Sequence, residues 1–186
     1  MKVVLACALL LTSTLLSAGS PGAAPAPSLY DLHERLANQD GVAVSLDVHR
    51  GNPVLVTMFY GSCPATCPLI IDTLRAVERK LDPSQRASLR VLLISFDPER
   101  DTSGALRELA TSRRIDTQRW TLARADDDAV RRIAAALEIQ YRRLPDGQFS
   151  HATVITALGR DGEILARSSE LGHADEDLVR ALETAR

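Results

Sequence analysis

The sequence has only three cysteines, nearly balanced charge and no visible internal repeat. A net charge of -2 gives no support to a nucleic-acid-binding protein. With so few cysteines, a disulfide-rich scaffold is excluded, and 186 residues are enough to build a hydrophobic core without crosslinks. The apolar run at the N-terminus, Val3 to about Leu16, is short for a membrane span. These shortages predict one soluble domain behind a leader.

Residues 1–26 have the pattern of a leader. Lys2 is followed by an apolar core and then by small residues typical of a cleavage region. We expect a signal peptide or, if it is not cleaved, a membrane anchor, joined by a tether to one domain at residues 28–186. The domain is then exported to the periplasm, either soluble or anchored to the inner membrane. Because Cys7 lies in the leader, the mature domain holds one pair of cysteines.

The apolar runs predict an α/β fold. Two uninterrupted runs, at residues 54–59 and 91–96, are typical of central parallel strands. Helical spacing follows each run, and a hairpin and a last helix close the chain. The resulting order is βαβαβα, hairpin, α. We predict a thioredoxin-like fold, with a central mixed sheet flanked by helices and a short N-terminal hairpin or strand extension.

The cysteine pair falls between the first apolar run and the helix after it. Cys63 and Cys67 are four residues apart, and Pro68 is expected at the first helical position. Both thiols would lie near the positive end of a helix dipole, which favours the thiolate. Such a pair can form a disulfide or bind a soft metal ion. A purely structural disulfide is the simplest alternative, but a bridge across so short a loop stabilises weakly.

Several charged residues and histidines outside the cysteine loop belong either to the site or to the solvated surface. The segment 97–102 is either a strand exit with carboxylates near a helix N-terminus or a part of the site. His33 and His49 are interpreted as solvated surface side chains. A set of arginines is interpreted as a solvated basic surface: Arg131, Arg132, Arg142 and Arg143.

His151 is the one histidine that we connect with the cysteines. It is expected to begin the first strand of the closing hairpin, and in a thioredoxin-like sheet the loop entering that strand lies against the cysteine loop. Two thiolates and one imidazole form a soft, three-coordinate donor set that favours copper. Zinc usually takes four ligands, and the sequence offers no obvious fourth. His173 is a poor candidate.

Three motifs together resemble the Sco/SenC family from about Leu32 to the C-terminus. They are Cys-Pro-Ala-Thr-Cys-Pro, Ser-Phe-Asp-Pro-Glu-Arg-Asp-Thr and the late histidine. The resemblance implies that Cys63, Cys67 and His151 bind a copper ion, as Cu(I), Cu(II) or both. It also implies a metallochaperone that delivers copper to, or reduces cysteines of, the CuA site of cytochrome c oxidase. Implied partners are the oxidase subunit with that site and other periplasmic copper chaperones or thiol reductants.

The sequence departs from this family at two places. Family loops often carry an acidic residue between the cysteines, where this chain has Ala65 and Thr66. An aspartate commonly precedes the histidine, where this chain has Ser150. The site is therefore less anionic, which changes the groups that would tune copper affinity and redox potential.

Because of these departures, an enzymatic function stays an alternative to copper delivery. In a periplasmic thiol–disulfide oxidoreductase, Cys63 would be the more exposed, attacking thiol and Cys67 the resolving thiol. That mechanism gives His151 no necessary task, so the copper-binding reading is favoured. A peroxiredoxin-like peroxidase is a third, less favoured alternative.

Overall fold

A mixed β-sheet with helices packed against it is the framework of the molecule. The computed structural model describes residues 27–63 and 66–185, without the side chains of Thr66 and Cys67. The strands are β1 (Arg35–Asn38), β2 (Ala43–Ser45), β3 (Val54–Phe59), β4 (Arg90–Ser95), β5 (Trp120–Arg124), β6 (Tyr141–Arg143), β7 (Phe149–His151), β8 (Ile155–Leu158) and β9 (Ile164–Ser168). The helices are α1 (Thr66–Lys80), α2 (Pro83–Ser88), α3 (Ser103–Ser112), α4 (Asp127–Ala136) and α5 (Glu176–Thr184), and a 3-10 turn at Leu29–Leu32 precedes β1.

The topology follows the predicted order, with an additional hairpin, β6–β7, between α4 and β8. Seven of the described strands form one sheet in the order β2-β1-β5-β4-β3-β8-β9, and β6 pairs with β7 alone. Strands β3, β4 and β5 are parallel, and their crossovers contain α1 and α3. Strand β8 returns antiparallel to β3, and β9 pairs antiparallel with β8. The parallel strands, the closing hairpin, the N-terminal β1–β2 hairpin and the last helix are thereby confirmed.

The hydrophobic core lies on both faces of the central strands. Every residue of β3 is buried, and so are five of the six residues of β4. Helix α1 buries Leu74 and Val77 completely, and α5 contacts both α1 and β9. Uninterrupted apolar runs are what strands covered on both faces require.

Two details of the helices differ from the sequence prediction. Helix α1 begins at Thr66, so Pro68 is its third residue rather than its first. Proline fits there because the first N–H groups of a helix have no partner within the helix. Helix α2 was not predicted, since it buries no residue and so shows no apolar period. Asp82 caps it and Pro83 begins it.

The four arginines interpreted as a solvated surface are exposed, as predicted, but two of them also pair with buried carboxylates. Arg132 pairs with Glu34, a carboxylate that is 8% exposed. Arg143 pairs with Asp97, which is 0% exposed. Both carboxylates are far from their arginines in sequence, which explains why composition alone suggested a solvated surface.

The interpretation as a solvated surface side chain is wrong for His49 and confirmed for His33, which is exposed. His49 is half-buried, and its Nε2 lies 3.0 Å from the Thr121 hydroxyl on β5. Burial, reinforced by the nearby Arg90 guanidinium, lowers the pKa of His49 from 6.5 to about 4.

We therefore expect the free energy of unfolding to fall as the pH is lowered from about 6.5 towards 4. In this range His49 binds a proton in the unfolded chain but not in the folded one, so acid favours unfolding. The His49→Gln variant should lose this part of the pH dependence, and His33→Asn, at an exposed position, should keep it. Urea unfolding at several pH values measures the difference. Parallel pH curves for His49→Gln and the parent would contradict the expectation.

Candidate metal centre at the cysteine loop

Three segments of the chain meet at the carboxyl edge of the parallel strands. Phe59, the last residue of β3, is in register with Ser95, the last residue of β4. The Thr57 hydroxyl donates to the Val154 carbonyl at 2.7 Å, which brings the segment before β8 beside the end of β3. The cysteine loop, the charged loop and the segment after His151 therefore lie side by side, at the edge where open α/β sheets bind ligands.

The cysteine loop turns sharply as it leaves β3. The Cys63 N–H donates to the Tyr60 carbonyl at 3.2 Å, which closes a turn over Gly61 and Ser62. The Cys63 side chain is 8% exposed, whereas Ser62 is exposed. Cys67 is the second residue of α1, and its side chain lies outside the described part of the chain. Both cysteines are thus at the N-terminal end of this helix.

A buried aspartate, Asp101, is hydrogen-bonded to the backbone of the cysteine loop. The Asp101 carboxylate accepts a hydrogen bond from the Gly61 N–H at 2.8 Å and another from the Ser95 hydroxyl. Asp101 is 3% exposed, and its burial raises the pKa of the carboxyl, partly offset by these two hydrogen bonds. The charged segment therefore includes a residue beside the site. Its end also caps α3, because the Thr102 hydroxyl accepts from the Ala105 N–H.

His151 does not begin the strand where the sequence placed it. It is the last residue of β7, in a two-stranded hairpin separate from the main sheet, and β8 begins only at Ile155. The predicted turn at residues 145–147 joins β6 to β7, with Gly147 at a φ of 80°. Strands of three residues carry almost no periodic signal, so the hairpin merged with β8 in the sequence prediction.

The hairpin nevertheless brings the His151 ring to the cysteine loop. Its centroid lies 5.8 Å from that of Tyr60, edge-on, and 4.9 Å from that of Phe96. Tyr60 is three residues before Cys63. The Nδ1 atom of His151 lies 3.2 Å from the Ala152 carbonyl. A proton on Nδ1 donates to that oxygen and leaves the Nε2 lone pair available to a metal ion.

The aromatic surroundings of His151 were missed by sequence reasoning. Tyr60 and Phe96 contact this ring directly, and Phe149 and Tyr141 extend the cluster through Tyr60 and Phe96. The Tyr60 hydroxyl also donates to the Gln148 side chain at 3.0 Å, across to the His151 hairpin. Their positions next to the cysteine motif, the charged loop and the late histidine were the signal that could have found them.

The described residues contain part of the predicted copper ligand set. Cys63 and His151 both lie next to Tyr60, as described above. No group of three or more cysteine, histidine, aspartate or glutamate residues in this part of the chain is arranged to hold a metal ion. The Cys67 side chain lies outside this part of the chain, so the complete set of Cys63, Cys67 and His151 stays a prediction. Burial of Cys63 does not favour it as an accessible attacking thiol.

The fold and the site define a class of protein. Three parallel strands, an antiparallel closing hairpin and a cysteine pair at the start of the helix after β3 make this a thioredoxin-like protein, as predicted. The family model for SCO1/SenC matches residues 26–185. The chain belongs to this family.

Individual relatives agree in fold over most of the chain. The SCO1 protein homolog of Bacillus subtilis (strain 168) is 25% identical over 131 residues, 69% of this chain and 67% of the relative. The solved structure of Bradyrhizobium japonicum ScoI with copper bound has a TM-score of 0.66 at 22% identity, covering 82% of this chain and 97% of that one. The structure of BsSco, described as a Sco-family cytochrome c oxidase assembly protein with a disulfide switch, has a TM-score of 0.65 at 22% identity, covering 81% and 90%.

The predictions for the N-terminus fall outside the described structure. The leader at residues 1–26, with Lys2 and Cys7, is not among the described residues. Within residues 27–63 and 66–185, no helix is long and apolar enough to cross a membrane.

We expect Gly61→Ala to destabilise the protein, because an added Cβ would lie 2.6 Å from the Asp101 carboxylate. That carboxylate cannot move without losing the hydrogen bonds that satisfy it, so the cost should be about 1–3 kcal/mol. Gly104→Ala, in the first turn of α3 with 3.8 Å to its nearest neighbour, is the control and should be neutral or stabilising. Urea unfolding of both variants measures this. Equal stabilities would contradict the close packing of Gly61 on Asp101.

Proposed function

We propose that this chain is an exported copper metallochaperone that delivers copper to, or prepares, the CuA site of cytochrome c oxidase. Copper is its cargo, and Cys63, Cys67 and His151 are its ligands. The observation that carries the proposal is the His151 ring on Tyr60, with ring centroids 5.8 Å apart, beside the loop that leads to Cys63. Membership of the SCO1/SenC family supports it, and so does the copper bound to the Bradyrhizobium japonicum relative.

The donor chemistry fits copper. Two thiolates are soft ligands that select Cu(I), and an imidazole is acceptable to both Cu(I) and Cu(II). The hydrogen-bond geometry of His151 leaves Nε2 as its donor atom, and the aromatic rings around it restrict its orientation. Cys63 is 8% exposed, so little of this residue is in contact with water. A ligand set of this kind holds one ion tightly while leaving a coordination position for an acceptor.

The compartment and the partners follow from this role. In the proposal, residues 1–26 are a signal peptide or membrane anchor plus tether, and residues 28–186 form the domain that works in the periplasm. BsSco, one of the similar structures named above, belongs to a family of cytochrome c oxidase assembly proteins, which supports an oxidase subunit as the copper acceptor. Other copper chaperones or thiol reductants would load or reduce the cysteine pair.

A thiol–disulfide oxidoreductase is the second candidate. The disulfide switch described for BsSco favours it, because a cysteine pair in the same fold changes oxidation state there. The enzyme would cycle Cys63 and Cys67 between dithiol and disulfide. His151 distinguishes the two functions, since only copper binding needs an imidazole.

We expect the reduced protein to bind one copper ion, and Cys63→Ala or Cys67→Ala to abolish tight binding. His151→Ala should weaken copper binding by at least about 10- to 100-fold, the loss that removal of a group merely orienting a ligand causes, while disulfide formation between the cysteines continues. His173→Ala, at an exposed histidine outside the site, is the matched control and should leave affinity unchanged. Competition with a chromophoric copper chelator gives the affinities under anaerobic conditions. Full copper content in both cysteine variants would refute the ligand assignment, and an unchanged His151→Ala protein would favour the oxidoreductase.

We also expect copper(I) to raise the midpoint potential of the cysteine pair. A disulfide consumes both thiolates that copper needs, so the ion binds and stabilises only the reduced form. Above the dissociation constant, each tenfold rise in free copper(I) should raise the potential by about 30 mV, the slope for a two-electron couple. A redox titration of the thiols at several buffered copper(I) levels tests this. A potential that does not move over several decades of copper would show that these cysteines do not hold the metal.

A further inference from the structure

The hairpin that carries His151 needs an anchor outside itself. Strands β6 and β7 have three residues each and pair only with each other, apart from the main sheet. A two-stranded hairpin is marginally stable at best on its own. The position of the His151 ring therefore depends on the contacts that hold this hairpin to the rest of the protein.

Arg143 on β6 forms the main polar contact between the hairpin and the charged loop. Its guanidinium donates to the Asp97 carboxylate at 2.9 Å and to the Glu99 carboxylate at 2.8 Å. Asp97 is 0% exposed, whereas the Arg143 side chain is 46% exposed. A buried carboxylate requires such a partner, because a charge removed from water is costly unless it is paired. Arg100 completes the contact, since it also pairs with Asp97 and donates to the Gly147 carbonyl in the hairpin turn.

This contact is close to His151 in the hairpin. Arg143 is the cross-strand partner of Phe149, and its guanidinium lies 5.3 Å from the centre of that ring. Tyr141 and His151 form another cross-strand pair, two residues along each strand from Arg143 and Phe149. Side chains two residues apart in a strand lie on the same face of the hairpin. A restraint on the Arg143–Phe149 pair therefore limits the movement of the Tyr141–His151 pair.

The other end of the same charged loop holds the cysteine loop. Asp101 accepts the Gly61 N–H, as described above, and the Asp97 N–H donates to the Ser95 hydroxyl at 2.9 Å, the same hydroxyl that donates to Asp101. Residues 97–101 thus contact both supports of the site: the loop before Cys63 and the hairpin with His151.

We propose that Arg143 is a positioning residue for the metal site. Through Asp97 and Glu99 it docks the β6–β7 hairpin on the charged loop and so sets the distance between the His151 imidazole and the cysteines. This inference rests on the proposed copper-binding function for its consequence, but the docking itself is a property of the metal-free protein.

The first test uses the metal-free protein. Arg143→Met removes both ion pairs and keeps an unbranched side chain over Phe149, and Arg100 still neutralises Asp97. Amide hydrogen exchange of β6 and β7 should become at least about tenfold faster in Arg143→Met, with β3 and α5 unchanged. Arg142→Met is the matched control, because Arg142 is the exposed neighbour on the same strand, opposite Ser150. It should exchange like the parent. Unchanged hairpin rates in Arg143→Met, or equal rates in the two variants, would overturn the docking role.

The second test asks whether Arg143 acts through His151. Copper affinity is measured by chelator competition in the parent, Arg143→Met, His151→Ala and the double variant. Arg143→Met should weaken binding roughly tenfold in the parent and change it less than about twofold when His151 is already replaced. The thiol midpoint potential of the metal-free protein should be the same in the parent and in Arg143→Met. An equal loss of affinity in both backgrounds would indicate general destabilisation and overturn the proposal.

The outcomes separate this inference from the proposed function. A parent protein that binds copper, with Arg143→Met indistinguishable from it, overturns the positioning role alone. A parent that binds no copper overturns the proposed function, and the positioning role with it. If Arg143→Met does not fold, Glu99→Gln, which removes only the outer ion pair, is measured in the same way and should give a smaller change of the same kind.

Discussion

The parallel pairing of β3 with β4 determines where the cysteine loop and the charged loop lie relative to each other. Because Phe59 and Ser95 are in register, the chain leaves the sheet at the same level on two neighbouring strands. One exit becomes the cysteine loop, and the other folds back so that Asp101 accepts the Gly61 N–H. This register places the Asp101 carboxylate at hydrogen-bonding distance from the backbone that precedes Cys63. Burying a carboxyl group costs free energy, and hydrogen bonds donated by Ser95 and Gly61 offset that cost for Asp101.

The two supports of the site have different physical character. The described part of the cysteine loop is fixed mainly by backbone: a short turn that ends at Cys63, with a glycine that has no room for a Cβ. His151 is fixed by side chains: aromatic rings on one side and the ion pairs of Arg143 on the other. Each central strand of the main sheet is hydrogen-bonded to strands on both sides, whereas the position of the β6–β7 hairpin depends on a few side-chain contacts. Changes in the His151 half of the site should therefore be local, and changes in the loop half should be felt by the whole domain.

The sequence predicted the parts of the fold that have strong, local signals. The buried strands could be read from uninterrupted apolar residues, and the Cys63 and Cys67 pair from residue chemistry. The β6–β7 hairpin could not be predicted, because three-residue strands show no period and four of their six residues are polar or charged. The role of Arg143 was hidden for a different reason: its buried partner Asp97 is 46 residues away, and an arginine in an exposed stretch has no property that marks such a pairing. His49 is similar, since only its contact with Thr121, 72 residues away, explains its burial.

The division of the site between a loop and a hairpin suits a protein that must give up what it binds. In the proposed function Cys63 belongs to the support that backbone contacts fix, so its position should change little between the loaded and the empty protein. The imidazole belongs to a small hairpin held by ion pairs that are partly open to solvent, and moving it costs far less than moving a strand of the core. Release of an ion can then begin with the loss of one ligand while the fold stays intact. In the proposed function, copper binding and thiol redox chemistry would both use the cysteine pair, and only the hairpin with His151 distinguishes them.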